Sequence, residues 1–150
     1  MLYAACARRA MIEPPEHPVP LADVCVRAGI SGFPSPAQDH VGETLDLNRA
    51  LIARPHATYL FTAEGDSMQS ADGAGIYGGD LLLVDRAIEP RHGDTVIAVV
   101  DGELLVKTLQ IQTATPGLYS ANPRYAPIPL VDRDIQIWGV VTSLIRRMKR

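Results

Sequence analysis

At 150 residues the chain is long enough for one domain with a hydrophobic core and too short for us to expect two. Its formal net charge of −3 excludes a broad basic surface for wrapping nucleic acid, so direct sequence-specific DNA binding is not expected. Glycine and proline number 12 each and aromatic residues make up only 5%, which favours short strands and tight turns over a helical bundle.

The first 34 or so residues are predicted to form an arm, because four prolines between residues 14 and 20 interrupt any regular element. The chain shows no signal-peptide pattern and no apolar run of the roughly 18 residues that a membrane span needs. We therefore expect a cytoplasmic protein without membrane attachment, in which reduced thiols at Cys6 and Cys25 are favoured over the alternative of a disulfide.

Two short helices are predicted after the arm. The stretch AGISGFPSP at 28–36 has the composition of an exposed link, and its last residues, Ser35 and Pro36, have the form of a helix start. A first helix is therefore predicted over 36–41. Asp46 is predicted to cap a second helix, which the pair Arg54-Pro55 ends.

From residue 58 onward the predicted elements are strands. Six segments are rich in aliphatic and β-branched residues and are bounded by turn residues, namely 58–63, 80–85, 94–101, 103–111, 117–121 and 134–145. Asp101-Gly102 is a strong signal for a hairpin between the third and fourth. Six strands with short connections and little helix predict a compact, mainly β fold that is mostly antiparallel.

Three glycines, Gly73, Gly75 and Gly78, match the pattern G-x-G-x-x-G of dinucleotide-binding loops. That loop needs a helix after it, because the pyrophosphate sits on the helix N-terminus. Here the glycines lead directly into the strand-like residues 81–84. We interpret them as loop residues and predict no cofactor.

Ser67 follows the first of these strands, in the glycine-rich stretch 64–79. A serine at such a place is more often a turn residue than a nucleophile, and it needs a neighbouring base to attack a carbonyl. The four histidines lie beside the link or in apparent loops, without the spacing of metal ligands, at His17, His40, His56 and His92. No metal site is therefore predicted.

Lysine is the more informative base, because the chain has two lysines and twelve arginines. Lys107 lies within the apolar strand ELLVKTLQI, on the face of Leu105 and Leu109. Arginine stays protonated, whereas a buried lysine can lose its proton as its pKa falls by roughly 3–5 units. Neutral Lys107 could then take the hydroxyl proton of Ser67. The pattern leaves open an edge-strand lysine whose ammonium reaches water.

Several segments closely resemble the LexA/UmuD family of self-cleaving peptidases, namely 32–41, 46–68, 79–88, 92–110 and 138–141. The resemblance covers about residues 32–145. It implies a highly twisted antiparallel β fold of the LexA/signal peptidase type, with one or two short helices and a mobile N-terminal arm. It also implies that Ser67 is the nucleophile and Lys107 its general base. The backbone N–H groups of Ser67 and of a neighbour, Asp66 or Met68, would stabilise the oxyanion.

The same resemblance implies a cleavage site. The scissile bond would be Ser31-Gly32, which separates an arm of residues 1–31 from a peptidase and dimerisation domain of residues 32–150. Serine stands where the family usually has cysteine or alanine before the glycine, and Ala28-Gly29 is an alternative bond that does not align. The loop 69–79 is about three residues longer than in the family, an insertion that a surface loop should tolerate.

Partners are implied only by this resemblance. A filament of RecA on single-stranded DNA would promote cleavage, and the trimmed homodimer would join a UmuC-like Y-family polymerase in the SOS response. The alternative is a non-enzymatic dimeric docking module with a vestigial dyad. A LexA-like repressor is not expected, because the proline-interrupted arm has no room for a helix-turn-helix domain. A signal peptidase is not expected without a membrane segment, and the C-terminal RRMKR is predicted to be a solvated tail.

Overall fold

The computed structural model describes residues 7–9, 18–22 and 41–149. The chain divides into two units, the larger comprising Met1–Ile12 and Arg54–Arg150 and the smaller Glu13–Ala53. Within the described ranges, no helix is long and apolar enough to cross a membrane.

Strands dominate both units. In chain order, the described elements are β1 (Ala7–Arg9), β2 (Val19–Ala22), β3 (Val41–Leu45), α1 (Leu47–Leu51), β4 (Thr58–Thr62), β5 (Leu81–Asp85), β6 (Thr95–Val100), β7 (Glu103–Gln110), β8 (Gly117–Tyr119), β9 (Ile128–Pro129) and β10 (Ile135–Ile145). The larger unit holds an eight-stranded sheet in the order β1-β4-β5-β10-β6-β7-β8-β9. The smaller unit holds the pair β2-β3. Every pairing is antiparallel, so the predicted mainly β, antiparallel fold is confirmed.

The six strands predicted from residue 58 onward are all present, as β4 to β8 and β10. The predicted hairpin joins β6 to β7, where Val100 pairs with Glu103. Asp101 and Gly102 have φ values of 48° and 89°. Two successive positive φ values are the signature of a type I′ turn, whose twist matches that of the flanking strands.

The arm differs from its prediction, because it contains two strands, β1 and β2. Prolines do not prevent β2, which includes Pro20 paired with Thr44. In a two-stranded sheet each strand is an edge, and a proline without an N–H is tolerated there. The prediction of no regular element in the arm was therefore wrong for these residues. β3 and β9 were also not predicted.

The helix predictions had different outcomes. α1 begins at Leu47, and the Asp46 side chain accepts a hydrogen bond of 3.0 Å from the backbone N–H of Arg49, so the predicted cap is confirmed. The other predicted helix, over 36–41, lies outside the described residues except for Val41, which begins β3.

The core lies on both faces of the central strands. β6 is flanked by β10 and β7, and its alternate residues enter two different apolar clusters. Val96, Ala98 and Val100 pack with Leu109, Leu118 and Val140. Ile97 packs on the opposite face with Phe61, Ala63, Leu82 and Val84. A strand buried on both faces reads as a continuous apolar run, which is why residues 95–100 show no polar alternation.

An ion pair between buried Asp80 and partly exposed Arg146 ties the end of β10 to the start of β5. Asp80 is 3% exposed and accepts hydrogen bonds from Arg146 Nε at 2.7 Å, Arg146 Nη2 at 2.5 Å and the Tyr77 N–H at 2.8 Å. The Arg146 guanidinium also donates to the carbonyl of Gly75 at 2.9 Å and lies 4.4 Å from the Tyr77 ring centroid. These bonds, above all those from Arg146, hold the pKa of Asp80 below its ordinary value.

Asp80→Asn should lower the free energy of unfolding by about 1.5–3 kcal/mol at neutral pH, because the charge-assisted hydrogen bonds are lost. A carboxylate with a lowered pKa stabilises the fold above its ordinary pKa, and this contribution disappears as the pH falls through the lowered value. The difference between wild type and variant, measured by urea unfolding, should therefore shrink in acid. Asp101→Asn is the control, since Asp101 pairs with Arg133 on the surface and should contribute at most about 1 kcal/mol. Equal effects of the two substitutions would contradict the prediction.

Candidate active site

Ser67 lies in the loop 63–80 that joins β4 to β5. The two strands continue to pair at the base of this loop, where the Ala63 N–H donates to the Asp80 carbonyl at 2.8 Å and the Gly79 N–H donates to the Ala63 carbonyl at 2.9 Å. Gly65 has a φ of 79°, a conformation that glycine adopts without strain. The chain therefore turns sharply between the end of a fixed strand and Ser67.

Lys107 lies in the middle of β7, between β6 and β8 in the sheet. Its residue is only 6% exposed and pairs with Val96 of β6. Leu105 and Leu109 pack in one core cluster while Leu104 and Val106 pack in the other, as the period of two predicts. The alternative of an edge-strand lysine reaching water is wrong, because β7 is an inner strand and the side chain is buried.

The structure brings Ser67 and Lys107 together. The Nζ atom of Lys107 donates a hydrogen bond of 2.6 Å to the Oγ atom of Ser67. Burial lowers the pKa of Lys107, since the charged ammonium loses its hydration there. Among the described residues, no carboxylate forms an ion pair with this ammonium that would restore its pKa. The pair therefore has the geometry and the electrostatics that proton transfer from a hydroxyl to an amine requires.

A cleft of about 480 Å³ opens beside the two side chains. Its walls come from Phe61–Glu64 at the end of β4 and from Gly102–Lys107 in β7 and the turn before it, with contributions from Leu82 and Ile97. Most of these side chains are apolar, and two strands border the space. Such a cleft suits an extended peptide whose carbonyl carbon is brought to Ser67.

The glycine-rich loop leads into a strand. The strand β5 follows the G-x-G-x-x-G match directly, as predicted, so the loop has no helix N-terminus to offer a pyrophosphate. The extended part, 69–79, contributes no residue to the cleft walls. Instead it folds against the residue after Ser67, because the Ile76 N–H donates to the Met68 carbonyl at 2.8 Å.

Two further residues at this site were not predicted from the sequence. Asn122 donates from its side-chain Nδ2 to the Asp66 carbonyl at 3.1 Å and from its backbone N–H to the Ser67 carbonyl at 3.0 Å. The Tyr125 hydroxyl donates to Asp66 Oδ1 at 2.5 Å, and this bond raises the pKa of Tyr125. The sequence signal was the turn pair Asn122-Pro123, which does not indicate contact with residues more than fifty positions upstream.

The other candidate groups lie away from this pair or outside the described residues. His92 is a structural acceptor, since its Nδ1 receives the N–H groups of Ile111 and Gln112 at 3.1 and 3.2 Å. Across 7–9, 18–22 and 41–149, no three histidine, cysteine or acidic side chains cluster in a way that could hold a metal ion. Ser31, Gly32, both cysteines, His17 and His40 lie outside the described residues.

The C-terminal RRMKR departs from the predicted solvated tail at its first residue. Arg146 is exposed like Arg147, Met148 and Lys149, but its guanidinium is bound to Asp80 and Gly75. The buried carboxylate of Asp80 explains the difference, because a buried charge needs a partner. Charge counting along the sequence could not distinguish Arg146 from its neighbours.

Comparison with known proteins gives consistent results. Residues 20–142 match the family model described as peptidase S24-like. Protein SamA of Salmonella typhimurium is 41% identical over 140 residues, which cover 93% of this chain and 96% of SamA. Protein ImpA of Escherichia coli is 46% identical over 121 residues, or 79% of each chain. The LexA repressor of Pseudomonas chlororaphis is 36% identical over 119 residues, which cover 78% of this chain and 57% of the repressor.

The match to the family model spans most of the chain, the relatives are similar over most of their length, and the fold is the expected antiparallel β architecture. The chain therefore belongs to the peptidase S24-like family, the self-cleaving serine peptidases of the LexA and UmuD type.

Proposed function

We propose that the chain is a Ser-Lys peptidase that removes its own arm by cleaving Ser31-Gly32, and that the trimmed protein serves an error-prone DNA polymerase in the SOS response. One observation carries the proposal, namely the 2.6 Å hydrogen bond between Ser67 Oγ and the buried Lys107 Nζ. Membership of a self-cleaving peptidase family supports the same assignment of roles.

In the proposed reaction, neutral Lys107 accepts the hydroxyl proton as Ser67 Oγ attacks the carbonyl carbon of Ser31. The backbone N–H groups of Ser67 and of Asp66 or Met68 stabilise the tetrahedral oxyanion, an effect worth about 10²–10³ in rate per donor in related chemistry. The Lys107 ammonium then gives its proton to the amine of Gly32 as the peptide bond breaks. Water, deprotonated by Lys107, hydrolyses the Ser31 ester and restores the Ser67 hydroxyl.

A tethered substrate makes this chemistry sufficient even without tight binding. The scissile bond belongs to the same chain, so attack is intramolecular, and well-oriented intramolecular reactions reach effective concentrations of about 10⁵–10⁸ M. Serine before the scissile bond is a small side chain, as are the alanine and cysteine that are usual in the family. Self-cleavage therefore needs only correct docking of the arm and a neutral lysine.

Regulation and partners are proposed from the kinship with SamA and ImpA. A RecA filament on single-stranded DNA would favour the docked arm, and the product would act as a homodimer with a UmuC-like Y-family polymerase in translesion synthesis. Such partners would place the protein in the cytoplasm. The chemistry uses only side chains, backbone N–H groups and water, so no cofactor is proposed.

The proposal is tested by incubating the purified full chain between pH 7 and pH 10, with and without RecA filaments, and by mass spectrometry of the products. We expect a fragment that begins at Gly32 and forms faster at high pH. Ser67→Ala should give no fragment under any of these conditions. An intact wild-type chain at pH 10 in the presence of RecA filaments would reject the peptidase and favour the docking module with a vestigial dyad.

A mixing experiment separates cleavage within one chain from cleavage between chains. A tagged Ser67→Ala chain serves as substrate for untagged wild type. Cleavage of the tagged chain would show that one protomer can process another. Its survival while wild type is cut would establish cleavage within the chain.

A further inference from the structure

Asn122 makes two hydrogen bonds to consecutive carbonyls around the proposed nucleophile. Its Nδ2 donates to the Asp66 carbonyl at 3.1 Å, and its backbone N–H donates to the Ser67 carbonyl at 3.0 Å. One residue in the turn after β8 thus contacts both peptide groups that flank the Ser67 Cα, and the Asp66 carbonyl also accepts the Gln69 N–H at 3.1 Å. The link is long in sequence, since 56 positions separate Asn122 from Asp66.

Peptide geometry converts these two bonds into control of the reacting groups. In a planar trans peptide the carbonyl and the following N–H point in opposite directions. Fixing the Asp66 carbonyl therefore fixes the Ser67 N–H, and fixing the Ser67 carbonyl limits rotation on the other side of its Cα. Within the described residues the Ser67 N–H has no acceptor, so it is available to an oxyanion.

Asn122 is itself held in place. Its Oδ1 accepts the Arg124 N–H at 3.1 Å, and its carbonyl accepts the Tyr125 N–H at 3.1 Å. The Tyr125 hydroxyl returns to Asp66 Oδ1 at 2.5 Å, so the turn contacts Asp66 at both its carbonyl and its side chain. An amide suits the first arrangement because it carries a donor, Nδ2, and an acceptor, Oδ1, on two separate atoms of one short side chain.

We propose that Asn122 is a positioning residue for self-cleavage, which holds the Ser67 Oγ toward Lys107 and the Ser67 N–H toward the oxyanion. The inference rests on the proposed peptidase function and adds to it a residue that touches neither the substrate nor Lys107. It assigns a chemical role to the amide donor of Asn122, beyond a role in folding.

Asn122→Asp is the most direct test, because aspartate has the same shape, keeps an acceptor for the Arg124 N–H and loses the donor to the Asp66 carbonyl. Self-cleavage should slow by about 10²-fold, the usual cost of displacing a reacting group by about 1 Å. The added carboxylate lies close to Ser67 and Lys107 and should raise the pKa of Lys107, so the pH profile is measured on the neutral variant Asn122→Gln, in which the rise of the rate with pH should be unchanged. Asn48→Asp is the matched control in α1 and should cleave at the wild-type rate.

Two further measurements distinguish positioning from a fold defect. If one protomer can process another, kcat for the tagged Ser67→Ala chain as a substrate in trans should fall and KM should stay. Labelling of Ser67 by a fluorophosphonate, which needs the nucleophile and the oxyanion N–H but no arm, should slow in parallel. If Asn122→Asp loses cooperative unfolding, Asn122→Gln keeps the donor, moves it by one methylene and should show the same loss of rate.

The outcomes separate the two levels of the argument. If the wild type, Asn122→Asp and Asn122→Gln all cleave themselves at the same rate, the positioning role of Asn122 is overturned and the peptidase function is unaffected. A wild-type chain that neither cleaves nor reacts with fluorophosphonate would overturn the peptidase, and the inference with it. A higher KM at unchanged kcat would also overturn the positioning role, since it would mean that Asn122 serves substrate binding.

Discussion

Lys107→Arg should lower the rate of self-cleavage by about 10²–10⁴-fold, and raising the pH should not restore it. Arginine remains protonated in any protein environment, so the variant keeps a positive charge at position 107 and loses the base. Wild type should behave differently. Burial lowers the pKa of Lys107, so its cleavage rate should rise about tenfold per pH unit below that pKa and level off above it.

The measurement is the first-order rate of fragment formation from pH 6 to pH 10.5. Lys149→Arg is the matched control, because Lys149 is the other lysine and is exposed near the C-terminus. It should reproduce the wild-type profile. Cleavage of Lys107→Arg with the wild-type rate and pH profile would exclude Lys107 as the base.

A stability measurement reports on the same lysine without any reaction. In a Ser67→Ala background, which prevents cleavage, Lys107→Met removes the buried charge and keeps an unbranched side chain. Between the lowered folded pKa and the ordinary value of about 10.4, the unfolded chain binds more protons than the folded one. The stability of the lysine protein relative to the methionine variant should therefore rise with pH across this window. A difference independent of pH would show that the pKa of Lys107 is not lowered.

How far the sequence predicts this structure depends on how local the signals are. The strands from residue 58 onward were predicted because apolar runs and turn residues such as Asp101-Gly102 specify them locally. The strands β1 and β2 were not, because their pairing partners are distant in sequence, 50–54 positions away for β1 and 19–26 positions away for β2. Pro20 gave a misleading signal, since its effect depends on whether a strand is an edge.

The residues of the site also divide into those that the sequence indicated and those that depend on distant contacts. Lys107 stood out by composition, as one of two lysines among twelve arginines, and the family resemblance pointed to Ser67. Their 2.6 Å contact joins residues forty positions apart, which periodicity alone does not predict. Asn122 and Arg146 were missed because their roles arise from the groups they meet, two backbone carbonyls and a buried carboxylate. Tertiary contacts of polar side chains are difficult to predict from a single sequence, because no local pattern specifies the partner.

Gly75→Ala should also abolish most self-cleavage, by about 10²-fold or more, although Gly75 lies eight positions beyond Ser67. A Cβ atom at Gly75 would lie 2.0 Å from the Met68 carbonyl oxygen and 2.5 Å from the Ser70 nitrogen. Both are backbone atoms, so no side-chain rotation relieves the overlap. The loop must move, and with it the 2.8 Å hydrogen bond from the Ile76 N–H to the Met68 carbonyl, directly after the proposed nucleophile. Overpacking of this kind should also cost about 1–3 kcal/mol of stability.

Gly78→Ala provides the matched control within the same glycine-rich loop. A Cβ atom there would meet its nearest neighbour, the Gly65 carbonyl oxygen, at 3.7 Å, which is ordinary contact, and the residue has no positive φ. This variant should cleave at close to the wild-type rate and unfold at a similar urea concentration. The comparison tests why the loop carries its glycines. In a dinucleotide-binding loop, alanine at either position should disturb the loop equally. In a loop that holds a nucleophile by close backbone packing, only alanine at Gly75 should lower the cleavage rate. Wild-type cleavage by Gly75→Ala would show that the tight packing of residues 68–76 does not position Ser67.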